Sequence, residues 1–378
     1  YLRSPFVTKN IYKYMSTVFP ITGMNRSNNN EGSPSLTLLR CNCGLFCPSL
    51  YTKVSLTIAY VVLLITASIG NILVFLLLRR CKSTAQMTFN YLIMNMAVGD
   101  IIGVFSSAIL AVSFTFVGHH WISGLFGEVL CKMVPFVLTL SIYLSIWTLV
   151  VMSVDRYFSI SHSSKKPMSR KVVKRSIVSV WFIAAMAASP YLYKMQLRET
   201  SDKSECRSLW SEDLERHLFM SRGEEIVKFV LTYVIPLFVI GTMNIIIGRT
   251  LSSLKPINDC KIQAKRAKRN RKIYKLLVSI VSLFAFCWVF AHVNHLLSAF
   301  DIVTYCNLPA AVPFFFFWIS HLNAAGNPII YAVFNRSLQK DSGKQGRKEV
   351  EGVHPKEKYE TCSRQRGVPC RGLKNSGS

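Results

Sequence analysis

The chain has 378 residues, 51% of them hydrophobic, and a formal net charge of +26 from 45 Lys and Arg against 19 Asp and Glu. The cations fall between long apolar runs and no nucleic-acid-binding motif accompanies them, so the charge reads as membrane topology and a nucleic-acid partner is excluded. The sequence has no Gly-rich phosphate loop, no nucleophile beside a base and no His-Glu metal motif within the apolar runs, so no catalytic residue and no enzymatic activity are expected.

Residues 1–53 are polar, hold no long apolar run and carry the acceptor triplet Asn25-Arg26-Ser27, as an extracellular and glycosylated tail would. The chain begins at Tyr1 without a Met and reads as a fragment or an imperfect gene model, so the lack of a signal peptide carries no inference.

Seven apolar runs follow, at 54–79, 88–117, 129–155, 172–192, 226–250, 272–299 and 309–334. Each exceeds the roughly 20 residues that a helix needs to cross about 30 Å of hydrocarbon. A soluble protein buries such a helix once or twice, and seven point to an all-α membrane protein, a seven-transmembrane helix bundle over 54–334.

The loops give its orientation. Arg79, Arg80 and Lys82 follow the first run, Lys165, Lys166, Arg170, Lys171, Lys174 and Arg175 the third, and a denser set from Lys255 to Lys272 the fifth. Basic loops stay in the cytoplasm, which puts the N-terminus outside and predicts a multi-pass plasma-membrane protein.

The eleven cysteines form no single framework. Cys81, Cys260, Cys362 and Cys370 fall on the reducing side and Cys287 within a span. Cys131 and Cys206 both fall at the outer surface, where the oxidising compartment favours a disulfide between them. Cys306 has Cys41, Cys43 or Cys47 as partners and the choice stays open; a metal site at those three is a minor reading without a His or a further ligand pair.

Polar residues inside the spans need a reason, because a charged group at mid-bilayer costs about 2.5–3.5 kcal/mol. Asp100 has Asn71, Ser145, Asn323 and Asn327 as candidate partners at similar depth. One carboxylate with neutral oxygens can hold a small cation such as sodium, form a hydrated network, or simply tie helices together. At the inner end of the third run, Asp155-Arg156-Tyr157 places an acid beside an arginine at the membrane edge; in the seventh, Asn327-Pro328-Ile329-Ile330-Tyr331 puts a proline inside a helix and frees a carbonyl.

In chain order, Gly70-Asn71, Ala97 with Asp100, Cys131 placed 25 residues before Arg156, Asp155-Arg156-Tyr157, Trp181, Pro236, Phe284 with Cys287-Trp288, and Asn327-Pro328 to Tyr331 make one pattern. It resembles a rhodopsin-like, class A G protein-coupled receptor of the neuropeptide-receptor type, over residues 54 to about 343.

The resemblance implies that Asp155, Arg156 and Tyr157, with Asn327, Pro328 and Tyr331, carry activation and G protein coupling. Ile146, Pro236 and Phe284 would form a packing switch above which Trp288 is the pocket floor. Asp100, Ser145, Asn323 and Asn327 would make an allosteric sodium site; no other cofactor is expected. It also implies a short amphipathic eighth helix at 335–343, followed by a disordered cytoplasmic tail at 344–378, with Thr361, Ser363, Ser376 and Ser378 as phosphorylation sites for arrestin and Cys362 and Cys370 as weak acylation candidates.

The chain departs from the family pattern at four places. Phe290 stands where a proline usually kinks the sixth helix, Asn244 where a tyrosine usually supports the active state, Ser163 for a proline in the second inner loop, and Leu338 for the aromatic of the eighth helix.

Two ligand chemistries are closed. Leu138 replaces the aspartate that holds amines, and His321 replaces the lysine that binds retinal in the resembled family. Leu138, Thr139, Ala291, His292, His295, Phe317 and His321 are expected to line a polar, aromatic pocket suited to the amides of a short amidated neuropeptide; a zinc site at His292, His295 and His321 is the weaker reading. An outer loop at 191–225, with acids from Glu199 to Glu225, would attract a basic peptide, unless those acids are only a solvated face. The expected partners are a peptide ligand, a heterotrimeric G protein, arrestin and membrane lipids. The competing readings are a receptor of the same fold for a lipid or other small ligand, a non-signalling scavenger receptor and, lacking any inverted repeat, a transporter.

Overall fold

The computed structural model describes residues 50–80, 87–117, 120–161, 167–199, 203–253, 261–309 and 311–349. Helices α1 (Leu50–Arg80), α2 (Met87–Val117), α3 (Gly124–Ile160) and α4 (Arg170–Ala188) come first. A short α5 (Pro190–Lys194) leads into an antiparallel hairpin of β1 (Met195–Glu199) and β2 (Ser204–Ser208), with Leu197 opposite Cys206. Then come α6 (Leu214–Phe229), a π-helical turn Val230–Val234 and α7 (Ile235–Ser253), which together make one membrane-length helix. The chain continues through α8 (Lys261–Phe300), α9 (Ile302–Asn307) and α10 (Ala311–Glu349).

Among the described residues, six helices are long and apolar enough to span a bilayer. The seventh is α10, whose apolar run is diluted by His321, Asn323, Asn327 and Pro328 and which packs against α8, α1 and α2. These polar groups face neighbouring helices rather than lipid, the arrangement that lets a membrane helix carry them. The largest core cluster joins Phe89, Leu92 and Met96 of α2 to Ile146, Leu149 and Met152 of α3, Ile240 of α7, Ile273, Leu277, Ile280 and Phe284 of α8 and Tyr331 of α10. Gly70 lets α1 approach α10 closely, since a Cβ there would lie 2.8 Å from the Pro328 Cβ.

Two boundaries differ from those read in the sequence. The fifth membrane helix begins at Leu214 rather than at 226, so Glu215, Glu224 and Glu225 belong to a helix and not to the outer loop. Asp213 caps it, its carboxylate accepting the Arg216 N–H at 2.8 Å, and Glu215 in the first turn suits the helix dipole. This polar extension is invisible to a hydropathy pattern. At the other end, α10 runs without a break through 335–343 and on to Glu349, six residues into the segment expected to be a disordered tail. No proline interrupts that stretch and helix-forming Leu, Gln, Lys and Arg dominate it.

Cys131 and Cys206 form a disulfide that ties β2 to the outer part of α3. The hairpin is further pinned by the Trp121 N–H donating to the Ser204 carbonyl at 2.8 Å and the Gly124 N–H donating to Glu199 Oε1 at 2.7 Å. Cys287 is buried and free. The Asn25 triplet, Cys41, Cys43, Cys47, Cys81, Ser163, Cys260 and the Thr361 to Ser378 sites lie outside the described residues, as do the side chains of Cys306 and of 335–343.

Candidate functional site

Three levels of one helix set hold the sequence-predicted residues. At mid-depth the Asp100 carboxylate of α2, 5% exposed, accepts a hydrogen bond from Ser145 Oγ of α3 at 3.1 Å and one from Asn327 Nδ2 of α10 at 2.8 Å. Asn71 is not among its partners. Its amide donates instead to the Ala67 and Ala324 carbonyls, both at 2.9 Å, stapling α1 to α10. Asn323 Oδ1 and Asn327 Oδ1 are buried and have no hydrogen-bond donor among the described residues. Asn323 precedes Asn327 by one helical turn on the same face. A carboxylate, a hydroxyl and two unsatisfied amide oxygens are hard donors that fit a small hard cation.

At the inner end Arg156 and Asp155 are both buried, and the guanidinium donates through Nε, at 3.1 Å, and Nη2 to Asp155 Oδ2. The other carboxylate oxygen accepts the Met168 N–H at 2.9 Å, so one acid holds both the arginine and the loop before α4. The Phe89 ring lies 4.8 Å from the guanidinium carbon and completes its enclosure. Tyr157 packs with Tyr274 of α8 against Ile160, Ile247 and Leu251.

Between these levels, Ile146, Phe284 and Tyr331 share the main core cluster, with Trp288 packed on it and its ring 6.1 Å from that of Phe284. Pro236 is buried in α7, two residues beyond the π-helical turn. The Tyr331 hydroxyl and Asn244 Oδ1 are buried and have no hydrogen-bond partner among the described residues. Unsatisfied polar atoms are costly in a core. Phe290 in place of a proline leaves α8 continuous from Lys261 to Phe300.

The outer level separates the three pocket histidines. His292, 7% exposed, meets the Phe229, Tyr233 and Trp288 rings and reaches Thr232 Oγ1 with Nε2 at 3.4 Å. Since Thr232 gives its hydrogen to the Lys228 carbonyl at 2.7 Å, the ring nitrogen is the donor. His295 packs edge-on against Phe317 at 5.2 Å and faces Glu225. His321 donates from Nδ1 to the Phe317 carbonyl at 2.7 Å and stands beside Tyr60. Among the described residues no group of three His, Cys, Asp or Glu side chains is placed to hold a metal, which removes the zinc reading. Thr139 is buried, Leu138 half-buried, and Ala291 belongs to the core at 2% exposure.

A charged cluster beside this level is the main feature that the sequence reading missed. Lys194 Nζ donates to Glu224 Oε2 at 2.6 Å, Lys228 lies 3.3 Å from Glu224 and 2.5 Å from Glu225, and the Trp210 indole donates to Glu224 at 3.0 Å. Lys228 also donates to the Tyr191 hydroxyl at 3.2 Å, and Lys194 sits 3.8 Å from the centroid of that ring. The spacing of Glu224 and Glu225 to Lys228 was a readable helix signal once the helix was known to start early. Among the other acids of 191–225, Glu205 pairs with Arg207 and Glu212 with Arg198. Four of the eight acids of 191–225 are thus ion-paired with lysines and arginines. A second missed feature is Asn95, which donates to Thr148 Oγ1 at 2.8 Å and accepts from the Trp181 indole at 2.9 Å, joining α2, α3 and α4.

A family model described as "7 transmembrane receptor (rhodopsin family)" matches residues 70–331. The chain is 28% identical over 302 residues to the type-1 angiotensin II receptor B of Xenopus laevis, covering 77% of this chain and 78% of that one. It is 27% identical over 330 residues to the substance-P receptor of Mus musculus, covering 86% and 75%. It is also 28% identical over 310 residues to the atypical chemokine receptor 3 of Homo sapiens, covering 78% and 81%.

Proposed function

The chain belongs to the rhodopsin family of seven-transmembrane receptors, and on that footing we propose that it binds a short peptide outside the cell and activates a heterotrimeric G protein within. As a member of that family it is a multi-pass membrane receptor and not an enzyme, which sets the transporter reading aside. The observation that carries the peptide proposal is the hairpin β1–β2, pinned to the outer part of α3 by the Cys131–Cys206 disulfide and by Trp121 and Gly124. A fixed frame of that kind suits an extended chain that offers backbone amides. Two relatives named for angiotensin II and substance P support the same ligand class.

In this reading the peptide's end reaches Thr139, His292, His295 and Phe317, over Trp288. Imidazoles and a hydroxyl can donate to and accept from an amidated terminus. Since four of the eight acids of 191–225 are already ion-paired, selectivity for a basic peptide rests less on loop charge than the sequence alone implied. The receptor sits in the plasma membrane with its N-terminus outside, and Arg156, released from Asp155, meets the G protein. Sodium at Asp100, Ser145, Asn323 and Asn327 stabilises the resting form, and arrestin engages the cytoplasmic tail.

G protein activation in cells expressing the chain, challenged with amidated peptides and their free-acid counterparts, tests the proposal with Arg156→Ala as the control. A response to amidated peptides that the substitution abolishes is expected. Silence to every peptide at confirmed surface expression, with a response to lipids or other small ligands, overturns it.

A further inference from the structure

Two clefts meet at the outer end of α4 and α6, and Trp210 and Met220 line both. The first, about 260 Å³, runs between α4 and α6 as far as Tyr143 of α3. Ala187, Phe219 and Val227 make its walls apolar, and Phe219 and Val227 are 75% and 53% exposed. Its polar wall residues, Glu224 and Lys228, are saturated by each other and by Lys194, Glu225 and Tyr191, so a charged guest gains little there.

The second cleft, about 530 Å³, lies against the hairpin and is polar, with Gln196, Ser211, Glu212 and Arg216. Glu212 is taken by Arg198, whereas the Arg216 guanidinium has no ion pair among the described residues. A hydrocarbon chain is stabilised in the first cleft and an anionic head in the second. Trp210, with its indole on Glu224, stands at the junction, the interfacial position that tryptophan favours in membranes.

We propose that the joined clefts bind a phospholipid of the leaflet on the hairpin side, its phosphate on Arg216 and one acyl chain between α4 and α6. The site is separate from the peptide pocket and does not depend on the ligand proposed above. Because Glu224 and Lys228 link its wall to Lys194 at the foot of the hairpin, an occupied cleft braces the hairpin against α6.

The full chain in nanodiscs made with a phospholipid that carries a diazirine in the upper half of one acyl chain, the part nearer the phosphate, provides the test. After photolysis, adducts mapped by mass spectrometry are expected on Phe219, Met220 and Val227 at about tenfold the density found on the equally exposed Ile58, Val62 and Ile65 of α1. Gly223→Leu should abolish the excess, since a Cβ at Gly223 meets nothing within 4 Å and the side chain grows into the cleft. That change also raises helix propensity, so the variant should fold. Val227→Trp should narrow the cleft from a second position, and Arg216→Gln should reduce labelling without moving it. Equal labelling of α6 and α1 in the unaltered chain, or an excess that survives both Gly223→Leu and Val227→Trp, overturns the proposal.

Discussion

Asn327 donates its side-chain amide to the Asp100 carboxylate at 2.8 Å, one residue before the proline inside α10. The hydrogen bond links the one carboxylate of α2 to the turn of α10 that carries Pro328, with Tyr331 one turn further on.

If sodium occupies this cluster in the resting form, replacing sodium by a bulky organic cation should raise agonist affinity. The expected change is about fivefold to tenfold, the lower end of ordinary coupling energies. Asp100→Asn should remove the sodium response while the chain still reaches the surface. Radioligand competition in the two salts measures it, and an unchanged sodium effect in the variant would exclude Asp100 as the ligand.

Asp155 holds Arg156 with one oxygen and the Met168 N–H with the other. Asp155→Asn weakens both, and basal nucleotide exchange on the G protein should rise severalfold, whereas Arg156→Ala should lower agonist-driven exchange to background. Membranes assayed for guanine-nucleotide binding separate the two effects. Equal basal rates in Asp155→Asn and the parent chain would sink the assignment.

Trp181→Phe keeps the ring and deletes the indole donor to Asn95. The expected cost is about 1–2 kcal/mol, the range for a buried hydrogen bond whose partner is left unpaired. It should appear as a lower unfolding temperature of the purified protein without loss of ligand selectivity. A melting temperature equal to the parent's would mean that Asn95 finds another donor.

Glu224 neutralises Lys194 and Lys228 in a site where the Lys194 side chain is 5% exposed. Glu224→Gln should therefore destabilise by about 3–5 kcal/mol, the penalty for leaving a buried charge unpaired. Adding Lys194→Met should recover a good part of that loss, a non-additive pair that a thermal-stability cycle can resolve. Additive losses would show that the two residues do not share one network.

Much of this architecture is legible in the sequence because the bilayer imposes a length and a composition that few other environments demand. Cys131 with Cys206 and Asp155 with Arg156 could be paired from position alone, and Asp100 with Asn327 by depth. What escaped was set by contacts that periodicity does not encode. The early start of α6 rests on a polar cap at Asp213, the π-helical turn at Val230–Val234 leaves no compositional mark, and Asn95 looks like any polar residue until Trp181 and Thr148 are seen on either side. Asn71 was misassigned for the same reason. Depth placed it near Asp100, but rotation about the α1 axis turned it toward Ala324. His292 and His295 share a helical stripe of α8 and His321 stands on α10, and the direction of each ring separates them.

The hairpin fastened to α3 by a disulfide, to Trp121 by a backbone hydrogen bond and to the Gly124 N–H by the Glu199 carboxylate has a kinetic consequence. A loop held at both flanks is a doorway and not a door: it has no closing stroke to make after a ligand arrives. Arrival rates among related ligands should then differ mainly by how much ordering each ligand itself must undergo, and differences in potency should appear chiefly as differences in residence time.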